Sequence, residues 1–183
     1  MQVTRRGILL GAAAGGGLVV AWWLRPRAYP VPLTAGSGEY LFGAWLRIAE
    51  DGVVTVAVPQ LEMGQGISTL LPQIVAQELG ADWRQIAVEP APPSGAYGNV
   101  PLARKWIGLW DPSAAGLSER ADAMLAQRFA GAARFTATAE GTSLEAYEQP
   151  CREAAATARG MLAQEAAERW GVAWEECEVE GGF

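Results

Sequence analysis

Two short segments set residues able to hold a ligand directly ahead of a helix. In Met63-Gly64-Gln65-Gly66 the glycines let a phosphate or a flat heterocycle approach the backbone, and the free N–H groups of a following helix favour negative charge. Gln65 adds a neutral amide that both donates and accepts. Without further information the same residues also read as a plain tight turn. Thr138-Ala139-Glu140-Gly141-Thr142-Ser143 places hydroxyls and a glycine before another helix, a pattern that suits an anion or a ring edge and equally suits a helix cap.

Other chemistries are excluded by composition. The chain has no histidine, which removes Ser-His-Asp and Cys-His nucleophiles, histidine-bound zinc and the commonest general base near neutral pH. Cys151 and Cys177 are the only thiols, too few for an iron–sulfur cluster and not spaced as a redox pair. Redox chemistry would therefore need a bound cofactor or a partner.

The elements that must position these segments are legible in part. Trp45–Glu50 and Val53–Val58 flank Asp51-Gly52, which predicts an antiparallel hairpin closed by a two-residue turn. Ile67, Leu70, Leu71, Ile74, Val75 and Leu79 recur at helical spacing, with Ser68 or Thr69 as candidate caps, Pro72 near the start and Gly80 as the stop. Gln85–Glu89 reads as a strand stopped by prolines, and residues 90–116 as a long loop. A helix is expected over Leu117–Ala130, a short strand over Phe135–Thr138, and a last helix over Tyr147–Trp170 closed by Gly171. In that last helix Ala154, Ala155, Ala158, Leu162, Ala166 and Trp170 are expected on one buried face. Together these give an α+β fold, a mixed or antiparallel sheet with packed helices. The strand-like run at Glu178–Phe183 with nothing after it reads as a truncated C-terminus.

Charge divides the chain. Four of its 14 basic residues, Arg5, Arg6, Arg25 and Arg27, precede the first acid, Glu39, leaving a body of about −10 that repels nucleic acid. Arg5-Arg6 before the apolar run Gly7–Leu24 is the pattern of a twin-arginine export signal, with a cleaved leader and a retained membrane anchor both open. Residues 1–24 are thus a leader or anchor, 25–39 a linker and 40–183 the folded part.

The run Val58-Pro59-Gln60-Leu61-Glu62-Met63-Gly64-Gln65-Gly66 with its helix through Trp83, and Arg152–Leu162 with Trp170-Gly171-Val172, resemble the molybdopterin-binding large subunit of the xanthine dehydrogenase and aldehyde oxidase family, isoquinoline 1-oxidoreductase beta-subunit type. The resemblance covers nearly all of residues 40–183, which it makes an incomplete part of a molybdopterin-binding domain. It implies a molybdenum–molybdopterin cytosine dinucleotide cofactor held by Gly64, Gln65 and Gly66, with Thr142 and Ser143 as further contacts. The family has adjacent glycines where Ala139-Glu140 stand and a glycine at Ala155. By the same resemblance the reaction is hydroxylation of an aldehyde or N-heterocycle with water as oxygen source. Electrons would leave through iron–sulfur clusters on a small [2Fe-2S] partner subunit, with a cytochrome as an eventual acceptor, in the periplasm or at the inner membrane. The general base lies in the distal part of a much longer subunit, so no acid here is assigned to catalysis, and Glu62 is read as a packing or capping residue. The alternative is a non-catalytic exported protein that binds a partner, or an aromatic ligand through Trp106 and Trp110.

Overall fold

A computed structural model describes residues 27–114, 119–179 and 181, with 16, 18, 19, 22 and 25 ahead of them. The expected leader therefore lies largely outside the described residues. No helix among those described is long and apolar enough to cross a membrane.

The architecture is a four-stranded mixed sheet with helices packed on it, in the order β1 (Glu39–Phe42), β2 (Leu46–Ala49), β3 (Val54–Val58) and β4 (Ile86–Pro90). β2 and β3 form the expected hairpin, with Leu46 opposite Val56 and Ile48 opposite Val54. Its turn is longer than two residues. Gly52 N donates to Ala49 O at 2.9 Å and Ala49 N to Val53 O at 2.9 Å, which leaves Glu50, Asp51 and Gly52 in the loop, with Gly52 left-handed (φ 85°). β1, which falls at the border of the expected linker, pairs antiparallel with β2. β4 instead runs parallel to β3, from Val54 opposite Ile86 to Val58 opposite Pro90. A parallel neighbour needs a crossover. Helix α1 (Ile67–Leu79) supplies it, so β3, α1 and β4 form a βαβ unit.

Apolar periodicity makes α1 what it is: Ile67, Leu71, Val75 and Leu79 are buried on one face. Pro72, the sixth residue of α1, lacks the N–H that would bond Ser68 O and so costs the second turn one hydrogen bond. Neither Ser68 nor Thr69 caps it. The N-cap is Gly66, and Gly80 closes the helix in the left-handed conformation with its N–H on Ala76 O.

Residues 90–116 are not one open loop. Ser94 starts a short turn of helix at Gly95–Tyr97, and Asn99 caps α2 (Val100–Lys105), which α3 (Ile107–Trp110) follows. Helices this short carry no readable period. They are held by aromatic packing instead: Trp110 stacks on Phe129 at 4.3 Å, and Tyr97 packs edge-on to Trp45 at 5.1 Å. α4 runs over Glu119–Ala132.

Phe135–Thr138 is extended but joins no strand, because side chains from elsewhere take its carbonyls. α5 starts at Thr142, five residues before the expected Tyr147, and ends at Trp170, where Gly171 turns left-handed. Its buried face is Ser143, Tyr147, Cys151, Ala155 and Ala158; Leu162 and Trp170 lie exposed, contrary to the expected stripe. Small residues on that face let α5 lie close against α1, where Arg152 Nη1 reaches Glu78 at 3.2 Å and its Nε reaches Glu148 at 3.0 Å. Residues 177–179 form no strand, and Val179 packs over Gly80.

Candidate functional site

The Gly64-Gln65-Gly66 turn connects β3 to α1, at the carboxyl ends of the parallel pair β3 and β4. In open sheets that end is where ligands bind, because the loops there part and the following helix turns its N-terminus toward them. A cavity of about 260 Å³ lies there, lined in part by Gln60, Glu62, Ser68 and Glu89.

One carboxylate organises the turn. Glu62 Oε1 accepts from Gly64 N at 2.8 Å and Gly66 N at 2.9 Å, and its Oε2 from Ser68 N at 3.1 Å. These backbone donations, led by Gly66 and Ser68, hold the Glu62 carboxyl below the usual carboxylate range. The helix N-terminus is thereby already neutralised. Gly64 and Gly66 are required by conformation (φ 96° and 77°) and not by crowding, since a Cβ on Gly64 would meet nothing.

Gln65 is folded onto the same turn. Its Oε1 accepts from Met63 N at 2.6 Å and its Nε2 donates to Leu61 O at 2.9 Å. Two bonds fix the amide plane and leave a second N–H and a second lone pair on a half-exposed side chain. Leu61 and Met63 beside it are 79% and 74% exposed, an apolar rim around a polar turn.

Thr142 and Ser143 stand in a different setting. Thr142 is fully buried; its Oγ1 donates to Ala139 O at 2.8 Å and accepts from Asn99 Nδ2 at 3.0 Å. Ser143 is also buried. α5 is capped by left-handed Gly141 and not by either hydroxyl. Glu140, the departure from the family pattern, is itself left-handed (φ 52°), the conformation a glycine adopts freely. Its carboxylate accepts from the Trp106 indole and lies 3.9 Å from Lys105 Nζ.

Two residues that the sequence reading left aside tie these segments together. Asn99 Oδ1 caps α2 through Leu102 N at 3.1 Å, and its Nδ2 also donates to Ala137 O at 3.0 Å. Gln60 Nε2 donates to Thr136 O and Ala137 O at 3.0 and 2.9 Å, so β3's exit and the segment ahead of α5 are joined through one amide. Its Oε1 is buried and has no hydrogen-bond partner among the described residues. Asn ahead of Val-Pro is a recognisable capping signal; nothing local marks Gln60.

The donor set suits a neutral, edge-on contact better than a phosphate. Glu62 fills the helix N-terminus with negative charge, whereas Gln65 on the turn offers an uncharged donor and acceptor, and Gln60, which lines the cavity, keeps a buried carboxamide oxygen without a partner among the described residues. No cluster of metal-ligating side chains occurs among the described residues, so a metal here would have to arrive within an organic group.

Comparison with known proteins gives this site a context. Residues 14–94 match the family model of a molybdopterin cofactor-binding domain. The isoquinoline 1-oxidoreductase subunit beta of Brevundimonas diminuta is 35% identical over 139 residues, 75% of this chain and 14% of that protein. The membrane-bound aldehyde dehydrogenase (pyrroloquinoline-quinone) of Gluconacetobacter polyoxogenes is 30% identical over 114 residues, 60% of this chain and 14% of that protein. The chain spans about a seventh of the length of these relatives.

Proposed function

The chain belongs to the molybdopterin-binding subunits of the xanthine dehydrogenase and aldehyde oxidase family, and on that premise we propose that it forms one wall of the cofactor seat in a larger molybdenum oxidoreductase. The observation that carries the reading is the Gln65 amide. It is pinned by two backbone bonds at the carboxyl end of a βαβ unit and has one N–H to spare.

Bound there, a molybdopterin group would supply two-electron oxidation of an aldehyde or N-heterocycle, with oxygen drawn from water. The chain's own part is positional. Gln65 would hold the group through its second N–H, the one that the turn does not use. Gly64 and Gly66 hold the backbone in the only conformation that brings the amide there. Gln60 lines the cavity, and its buried oxygen is left as an unused acceptor beside it. Glu62 keeps the helix N-terminus closed to anions, so the phosphates of a dinucleotide form would lie away from it. Thr142 acts through Asn99, as a positioning residue for the wall and not as a ligand contact. Further polypeptide, carrying the general base, and a separate iron–sulfur subunit complete the enzyme in this reading.

Gln65→Ala in the complete subunit is expected to lower molybdenum content or turnover by roughly tenfold or more, the usual cost of losing a group that orients a metal site. Unchanged metal content and unchanged rate would remove the assignment. One relative's name gives a second reading, a quinone in place of molybdopterin. Elemental analysis separates the two, since a quinone enzyme carries no molybdenum.

The same reading includes export. A cofactor inserted in the cytoplasm requires a route for folded protein, and Arg5-Arg6 ahead of Gly7–Leu24 fits the twin-arginine one. Arg5→Lys with Arg6→Lys is expected to retain the protein in the cytoplasm by cell fractionation; continued arrival in the periplasm would exclude that route.

A further inference from the structure

On the side of the molecule formed by α4 and the Gly95–Tyr97 turn, a second cavity of about 280 Å³ is lined by Arg25, Arg27 and Arg128 together with Tyr29. A smaller one of about 130 Å³ adjoins it, walled by the same three arginines and Trp22. The chain carries a net charge of −6, so three guanidinium groups on one concavity run against its overall balance.

Their convergence is built by packing. Arg25 and Arg27 come from the segment before the sheet and Arg128 from α4, roughly a hundred positions later in the chain. Tyr29 joins them. A Cβ on Gly95 or on Gly131 would overlap the Tyr29 ring, so these two glycines form a slot into which that ring is pressed. Docked there, Tyr29 fixes the two residues that lead up to it against the last turns of α4. A slot that only glycines can form would be an odd device for a mere connecting segment.

We propose that the arginine cavity is a binding site for a phosphate group. Planar guanidinium forks donate paired hydrogen bonds to phosphate oxygens, and three around one concavity supply enough donors to surround a phosphate group. Leu18, Val19 and Trp22, exposed at 72%, 65% and 72%, stand just before the arginines in the chain. An apolar run leading into cations is the complement of an anionic phospholipid, whose headgroup phosphate is one source of the ligand. A soluble phosphate or diphosphate is the other. The inference is independent of the cofactor reading, since the cavity shares no residue with the one at the exit of β3 or with the Gly64-Gln65-Gly66 turn.

The test uses the full chain in detergent, titrated with inorganic pyrophosphate by calorimetry, and the same protein floated with phosphatidylcholine vesicles with and without phosphatidylglycerol. Arg128→Gln is the decisive variant because Arg128 lies far from the leader in sequence, so its loss leaves a generic basic flank intact. It is expected to weaken binding about tenfold or more, as for one charge-assisted contact, with Arg128→Lys, which keeps the charge but not the fork, falling between it and the wild type. Tyr29→Ala, which keeps all three arginines but empties the slot, is expected to do the same; should it fail to fold, the Arg128 pair decides. Pyrophosphate binding that responds to these variants identifies a soluble source. A phosphatidylglycerol preference that responds to them, without pyrophosphate binding, identifies the lipid. Absence of both, or binding indifferent to Arg128→Gln, overturns the site.

Discussion

The turn ahead of α1 and the turn ahead of α5 look alike as sequence, each a glycine beside hydrogen-bonding side chains at a helix start, yet they are opposite as structure. At Gly64-Gln65-Gly66 the polar groups belong to the turn itself: Glu62 and Gln65 bond only to residues within six positions of themselves and remain at the surface. At Thr142-Ser143 both side chains are buried and the Thr142 hydroxyl bonds to distant chain, with Asn99 linking α2, the Ala137 carbonyl and Thr142. A self-contained exposed turn can change its outer partner without disturbing the fold. A buried junction cannot, because each bond lost leaves a desolvated group behind. The first arrangement suits a site that meets a ligand, the second a joint that keeps walls in place.

The sharpest way to break that contrast is at the joint. Asn99→Ala removes a helix cap and, from a fully buried position, takes one bond each from the Ala137 carbonyl, which keeps Gln60, and from the Thr142 hydroxyl, which keeps Ala139 O. A loss of about 3 kcal/mol in chemical denaturation is expected from those terms together. Gln65→Ala should leave the same denaturation curve nearly in place while acting on cofactor content. A mild Asn99→Ala would mean that the junction is wet or slack, and the division of labour between the two turns would fail.

How much of this was legible follows from the reach of each interaction. The hairpin and α1 are written in local periodicity, and Gly80 and Gly171 mark helix ends because a left-handed cap favours glycine. β1 escaped because its four residues have no alternation of their own and gain order from pairing with β2. The helices of residues 100–110 escaped because neither spans two full turns. The strand expected at Phe135–Thr138 has the right composition, but its carbonyls are taken by Gln60 and Asn99, 76 and 38 positions away, and no window of sequence contains that. In the site, the family resemblance pointed to Gln65, whose glycine spacing alone reads equally as a tight turn, whereas the role of Gln60 exists only once β3 lies beside the segment before α5.

The smaller test concerns Glu62, which gives the exposed turn its self-sufficiency. Its carboxyl is held below the ordinary value of 4.5 by N–H groups that favour the ionised form, first that of Gly66. The sign follows from linkage: the contribution is fully present above the unfolded value and disappears as the pH falls through the lower folded one. Glu62→Gln is therefore expected to melt below the wild type at neutral pH, with the gap narrowing as the medium is acidified below about 4.5. The same variant takes negative charge from the N-terminus of α1, so sulfate should raise its melting temperature more than that of the wild type. A gap indifferent to pH, together with no difference in the response to sulfate, would show that the ionised carboxylate does not close this turn. The helix N-terminus would then be open to a phosphate after all, and the neutral amide of Gln65 would lose its claim to be the group that a ligand meets first.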